Sequence, residues 1–93
     1  MLIENYGDID KLYTRIRQGD ILIICNIHRN ITKYYWFLKG LFMISYNDGE
    51  YADYCYPTEF RRDLIMALKS EHFTVSLMTN DSLEVIYQVA DLV

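Results

Sequence analysis

Proline occurs once in this chain, at Pro57, and glycine only four times in 93 residues. That scarcity excludes collagen-like repeats, proline-rich linkers and Gly/Ser low-complexity segments. Cysteine appears twice, at Cys25 and Cys55, too few for a disulfide framework. Both sit inside apolar, strand-like runs and read as free buried thiols. The two histidines, His28 and His72, are equally sparse. The local pair Cys25 and His28 is three residues apart, and a strand turns such residues to opposite faces, so no metal site is expected. No apolar run approaches the ~18–20 residues of a membrane-spanning helix. The first residues carry acids where a secretory signal would carry lysine or arginine, which places the expected location in the cytoplasm. Phosphate-binding glycine loops, nucleophile elbows and histidine-centred dyads are also missing, so neither enzyme activity nor a cofactor is expected.

What remains is aromatic and aliphatic. Hydrophobic residues make up 52% of the chain and nine of them are tyrosines, enough for one core and one domain spanning residues 1–93. A chain this short buries only about 60–65% of its unfolded surface, so a partner or a second copy would add stability. Net charge is −4 and is laid out in blocks: residues 11–39 carry +5, and residues 40–59 and 71–93 carry −4 each. A nucleic-acid-binding domain is usually basic, so direct nucleic-acid binding is not expected, and an acidic balance favours a basic protein surface as partner.

Periodicity predicts the elements. Ile9, Leu12, Tyr13 and Ile16 form one apolar helical face over residues 9–18, with Asp8 as the expected N-cap and Gly19 as the left-handed stop. Ile21 to Ile27 is a short β-branched strand. Thr32 to Leu38 follows, aromatic on both faces, with Tyr34, Trp36 and Leu38 on one and Tyr35 and Phe37 on the other. Lys39 and Gly40 break it. Two further strands, 41–46 and 50–56, flank Asp48-Gly49, a strong two-residue hairpin signal. Pro57 and Thr58 open a second helix, Thr58 as its cap, burying Phe60, Leu64, Ala67 and Leu68. Residues 72–79 alternate as a strand. The last segment is expected to be a helix, because Glu84, Gln88 and Asp91 make a polar stripe and 81–84 resembles a capping box. The expected fold is α+β, an antiparallel sheet of four to five strands with helices packed on it, in the order α-β-β-β-β-α-β-α.

The richest stretch is the second hairpin. With Asp48-Gly49 as its turn, Tyr46 faces Tyr51 and Ile44 faces Asp53, while Met43, Ser45, Ala52, Tyr54 and Tyr56 occupy the other side. Both sides are apolar enough to need cover, so one meets the helices and the other needs the last helix, a second protomer or a partner protein. Tyrosine suits such a surface, giving contact area for few frozen torsions. Asp48, Glu50 and Asp53 would steer it toward a basic target. The plainer account is ordinary sheet-forming tyrosines with solvated acids around a turn.

Other residues carry less. Arg15, Arg17, Arg29, Lys33 and Lys39 could face phosphates with Tyr35 and Phe37 as stacking platforms, but they alternate with buried positions as solvated faces do. Arg61 and Arg62 oppose the dipole at the start of the second helix and are expected to pair with Glu59 or Asp63, or to meet an anion.

Residues 8–70 resemble the double-stranded-RNA-binding domain in outline, α-β-β-β-α. The lysine-rich helix start of that family is replaced here by Arg61 and Arg62 set between Glu59 and Asp63. The chain also resembles the small, acidic, phage-borne inhibitors of CRISPR effectors. The residues that carry this likeness are Ile9-Asp10-Lys11-Leu12, Asn47-Asp48-Gly49 and the helix from Phe60 to Lys69. That resemblance implies acids that mimic target-DNA phosphates, with Asp48, Glu50 and Asp53 in that role. The present chain has a more aromatic sheet, fewer acids and an extra strand. The resulting expectation is a non-enzymatic inhibitor from a phage or mobile element. It would occlude a basic surface of a CRISPR or other nucleic-acid-processing protein through Tyr46, Asp48, Glu50, Tyr51 and Asp53. A homodimer paired through the exposed sheet face is the first alternative, and a small nucleic-acid-binding domain the second.

Overall fold

The computed structural model describes residues 1–47, 51–80 and 82–88. The elements in chain order are β1 (Leu2–Ile3), α1 (Tyr6–Arg17), β2 (Ile21–Asn26), β3 (Ile31–Leu38), β4 (Leu41–Tyr46) and β5 (Tyr51–Tyr54). They are followed by α2 (Pro57–Leu68), β6 (Phe73–Met78), β7 (Leu83–Val85) and β8 (Tyr87–Gln88). The fold is α+β: six strands form an antiparallel sheet in the order β5-β4-β3-β2-β6-β7, and β1 pairs with β8 in a separate parallel ribbon. The main sheet thus has one strand more than the four to five expected.

Asn5, not Asp8, caps α1. Its side chain accepts a hydrogen bond from the Asp8 amide at 3.1 Å, and Asp8 accepts one from the Glu4 amide at 2.9 Å. Either residue suits a cap; Asp8 instead occupies the first turn, where a carboxylate meets free N–H groups. The Glu4 amide first, then the Lys11 ammonium donating at 3.2 Å, hold the Asp8 carboxyl below the usual range. Gly19 ends the helix at φ 115°, as the sequence predicts. Between β3 and β4, Lys39 (φ 52°) and Gly40 (φ 80°) make a two-residue turn that pairs Leu38 with Leu41, the geometry that fits strand twist. Thr58 does not cap α2. Pro57 stands at the first helical position, where its fixed φ and missing N–H cost nothing, and Tyr56 precedes it without a side-chain bond.

The expected C-terminal helix does not form over 83–88, which holds β7 and β8; Asp81 and residues 89–91 of that expectation lie outside the described residues. Glu84, taken for part of a helical polar stripe, alternates with the outward Leu83 and Val85 and turns to the helix side. There Arg15 Nη1 donates to it at 2.8 Å while Arg15 Nε donates to Asp20 at 3.1 Å. The Arg15 bond, with the Met1 ammonium 3.3 Å away, holds the Glu84 carboxyl below its ordinary value. A depressed carboxylate contributes stability that is complete above its unfolded value, near 4.5, and is lost as pH falls through the folded one. Glu84→Gln should therefore lower the melting temperature at pH 7, by a few degrees at most for so exposed a pair, and by less at pH 3. Calorimetry of both proteins at the two pH values checks this.

The core lies between the helices and one sheet face. Ile9, Leu12 and Ile16 of α1 and Phe60, Leu64 and Ala67 of α2 meet Leu22, Ile24, Tyr35, Phe42, Ile44, Val75 and Leu77. Leu68 is only half-buried. Tyr13, Tyr35, Phe37, Phe42 and Phe60 form an aromatic cluster with ring centroids 4.9–6.2 Å apart.

Candidate docking surface

Strand alternation sends half of every sheet residue away from the helices, and in this fold no described element covers that half. The register places the outward residues in rows across the strands. One row runs Tyr54, Met43, Trp36 on β5, β4 and β3, then Ile21, Met78, Leu83 on β2, β6 and β7. Its two halves abut because Leu22 pairs with Tyr35, which sets Ile21 beside Trp36. The neighbouring row runs Ala52, Ser45, Tyr34, Ile23, Ser76, Val85. Beyond them lie Leu38 and Leu41 on one side and Thr32, Cys25 and Thr74 on the other.

None of these outward residues is charged. A solvated sheet face normally alternates apolar-in with polar-out, whereas here the outward side is largely apolar, broken only by small polar residues such as Ser45, Ser76, Thr32 and Thr74. Tyr54 is 64% exposed, Leu83 60%, Leu38 54% and Val85 48%, with Trp36, Tyr34, Met43, Ile21 and Ile23 half-buried by one another. Ser45 is closed off beneath its neighbours at 2% exposure. The outward residues thus make one contiguous, uncharged and largely apolar patch, larger than single scattered surface hydrophobics.

The sequence-predicted hairpin site is divided by this geometry. The register holds as expected, with Tyr46 opposite Tyr51 and Ile44 opposite Asp53. Asp48, Gly49 and Glu50 lie outside the described residues, and of Tyr51 only the backbone is described. Tyr46 and Asp53 are exposed, but on the helix side, at the rim. The Asp53 carboxylate accepts from the Tyr54 amide at 2.7 Å, and the Lys33 ammonium lies 5.7 Å from the centre of the Tyr46 ring. Tyr54 belongs to the open face and ends β5, two residues short of the expected strand end; Tyr56, 73% exposed, precedes α2.

The remaining candidates lose their chemistry to local partners. Tyr35 is fully buried and donates through its hydroxyl to Asp63 at 3.0 Å, so it cannot stack on a base. Burial first, then Asp63, raises its phenol well above the ordinary range. Lys33 lies 3.6 Å from the same carboxylate. Arg61 pairs across the helices with Asp10, not with Glu59 or Asp63 as expected; Arg62 reaches Asp63 at 4.0 Å. Both cysteines are free, Cys25 half-buried rather than buried. Burial pushes the Cys55 thiol up to about 12, which keeps it protonated and unreactive. His28 and His72 meet edge to face, 4.5 Å between centroids, a juxtaposition invisible in the sequence. Among the described residues no cluster of three or more His, Cys, Asp or Glu could hold a metal, and no helix is long and apolar enough to cross a membrane. A cleft beside α2, lined by Ile24, Arg29, Ile31, Lys33, Met66 and Phe73 among others, encloses about 200 Å³, and shallow clefts elsewhere about 270, 320 and 340 Å³, at or below the low end of the ~300–1,000 Å³ of a typical ligand pocket.

Sequence reasoning placed Tyr34, Trp36 and Leu38 on one face and Met43 and Tyr54 on another without joining them. The signal was present as strands with no polar side, but only the strand order makes them neighbours. No family model, curated protein or solved structure matches the chain.

Proposed function

We propose that this chain is a protein-binding module that docks through the open face of its sheet. One observation carries the reading: described outward positions on six strands hold aromatic, aliphatic and small polar residues and no charge. Such a face is costly in water and inexpensive against another apolar surface. Trp36 and Tyr34 at its centre are the residue types that dominate binding energy when desolvated. A second reading, occlusion of a basic nucleic-acid-binding surface on a CRISPR or other nucleic-acid-processing protein, draws support from the exposure of Tyr46 and Asp53 at the β5 edge.

Paired variants separate the two. A partner retained from nuclease-treated lysate by the wild type should bind Trp36→Glu at least tenfold more weakly, and bind Asp48→Lys/Asp53→Lys as well as the wild type. Unchanged circular dichroism shows that the variants fold. Loss on acid reversal with retention by Trp36→Glu would transfer the function to the hairpin.

A further inference from the structure

Resting on the docking reading above, we infer that the occupant of the open face is a second copy of this chain, stacked sheet on sheet about a two-fold axis that runs across the strands.

Three features of the face select that occupant. The first is charge. An uncharged surface rewards a partner surface that is also uncharged, and the face itself meets that requirement, whereas an acidic or basic partner would bury its charges unpaired. The second is area. Six strands about 4.8 Å apart, each presenting about five residues at 3.3 Å, make a footprint of roughly 500 Å² in projection. Two such faces bury about 1,000 Å² before side-chain relief is counted, the size at which a specific interface begins.

The third is relief. The row Tyr54, Met43, Trp36, Ile21, Met78, Leu83 is large at every position. The adjacent row has Ala52, Ser45 and Ser76 at three of its six positions. A two-fold axis lying between these rows and parallel to them sets the large row of one protomer over the small row of its partner. Tyr54 then meets the level of Ala52 and Met78 that of Ser76, while Met43 lies over the neighbours that close off Ser45 and Trp36 stacks toward Tyr34. The other in-plane axis, along the strands, sets large row on large row and leaves the small rows facing a gap. Close packing favours the first arrangement, with the usual rotation of about 30° between aligned sheets. The helix-side residues Tyr46 and Asp53 remain outside the interface, both copies at one edge of the dimer.

Sedimentation of the full chain across the micromolar range tests the inference, read together with dye binding and the emission of Trp36, the single tryptophan. The expected result is a concentration-dependent rise to twice the 11.1 kDa chain mass. Trp36 emission should move to the blue as the dimer forms. Trp36→Glu should be monomeric. So should Leu83→Lys, whose exposed position tolerates the change in a monomer, while Met66→Glu, exposed on α2, should still dimerise. A chain monomeric throughout that binds anilinonaphthalene sulfonate, and loses the dye with Trp36→Glu, overturns the second copy and leaves the docking face standing. A dimer indifferent to both Trp36→Glu and Leu83→Lys overturns both readings, as does a monomer that binds no dye.

Discussion

Phe60→Ala is expected to destabilise the protein by about 3–5 kcal/mol and to lower its melting temperature by about 15 °C or more. Phe60 is 1% exposed and its ring meets Tyr13, Tyr35 and Phe42 at 5.2–6.0 Å between centroids. Truncation removes the transfer energy of the ring and leaves a cavity where α1, α2 and the sheet converge. Tyr35 and Phe42 are held by strand pairing and Tyr13 by α1, so none can collapse into the space without moving backbone. A domain of this length has only roughly 5–14 kcal/mol of total stability, so the variant should be partly unfolded at physiological temperature. Urea unfolding read by far-ultraviolet circular dichroism checks it; a change under about 1.5 kcal/mol would mean that the aromatic cluster is looser than its geometry implies.

Asp63→Ala has the second largest expected effect, about 2–3 kcal/mol, by leaving a buried donor without an acceptor. Asp63 accepts from the Tyr35 hydroxyl inside the core and lies 3.6 Å from the Lys33 ammonium, itself largely covered. Removing the carboxylate strands both groups at once. Tyr35→Phe removes the hydroxyl while leaving Lys33 beside its acid, so alone it should cost only about 1 kcal/mol. The double variant should then be less destabilised than the sum of the singles, by about 1 kcal/mol or more, because the orphaned donor is gone. Additive effects would show that the Tyr35–Asp63 hydrogen bond contributes nothing to folding.

The parts of the fold that were legible in the sequence are those settled by local chemistry. The α1 face of Ile9, Leu12 and Ile16, the stop at Gly19, the break at Lys39-Gly40 and the register of Tyr46 opposite Tyr51 depend on residues within one or two turns of each other. The errors fall where a distant partner decides. Leu83 to Gln88 carries both a helical polar stripe and strand-forming residues, and Arg15, 69 positions before its partner Glu84, and Ile3, paired with Gln88, select strand. Asn5 and Asp8 compete to cap one helix, and the extended backbone at Asn5 settles it. The open face was half-visible: β2, β3 and β4 carry large apolar residues on both sides, but nothing local indicates that Trp36 and Met78 belong to the same uncharged plane. That plane exists because β2 sits between β3 and β6.

The central position of β2 also dictates a timetable. The β2-β3-β4-β5 meander closes through hairpins as soon as those residues leave the ribosome, at little loop entropy. The opposite flank of β2 must wait for β6, which follows the whole of β3 to α2 in the chain. Until then the nascent sheet has a bare β-branched edge, Ile21-Leu22-Ile23-Ile24, of the kind that recruits foreign strands. That edge is closed only when Phe73–Met78 reaches it, so slower synthesis across α2 is expected to lengthen the interval of exposure.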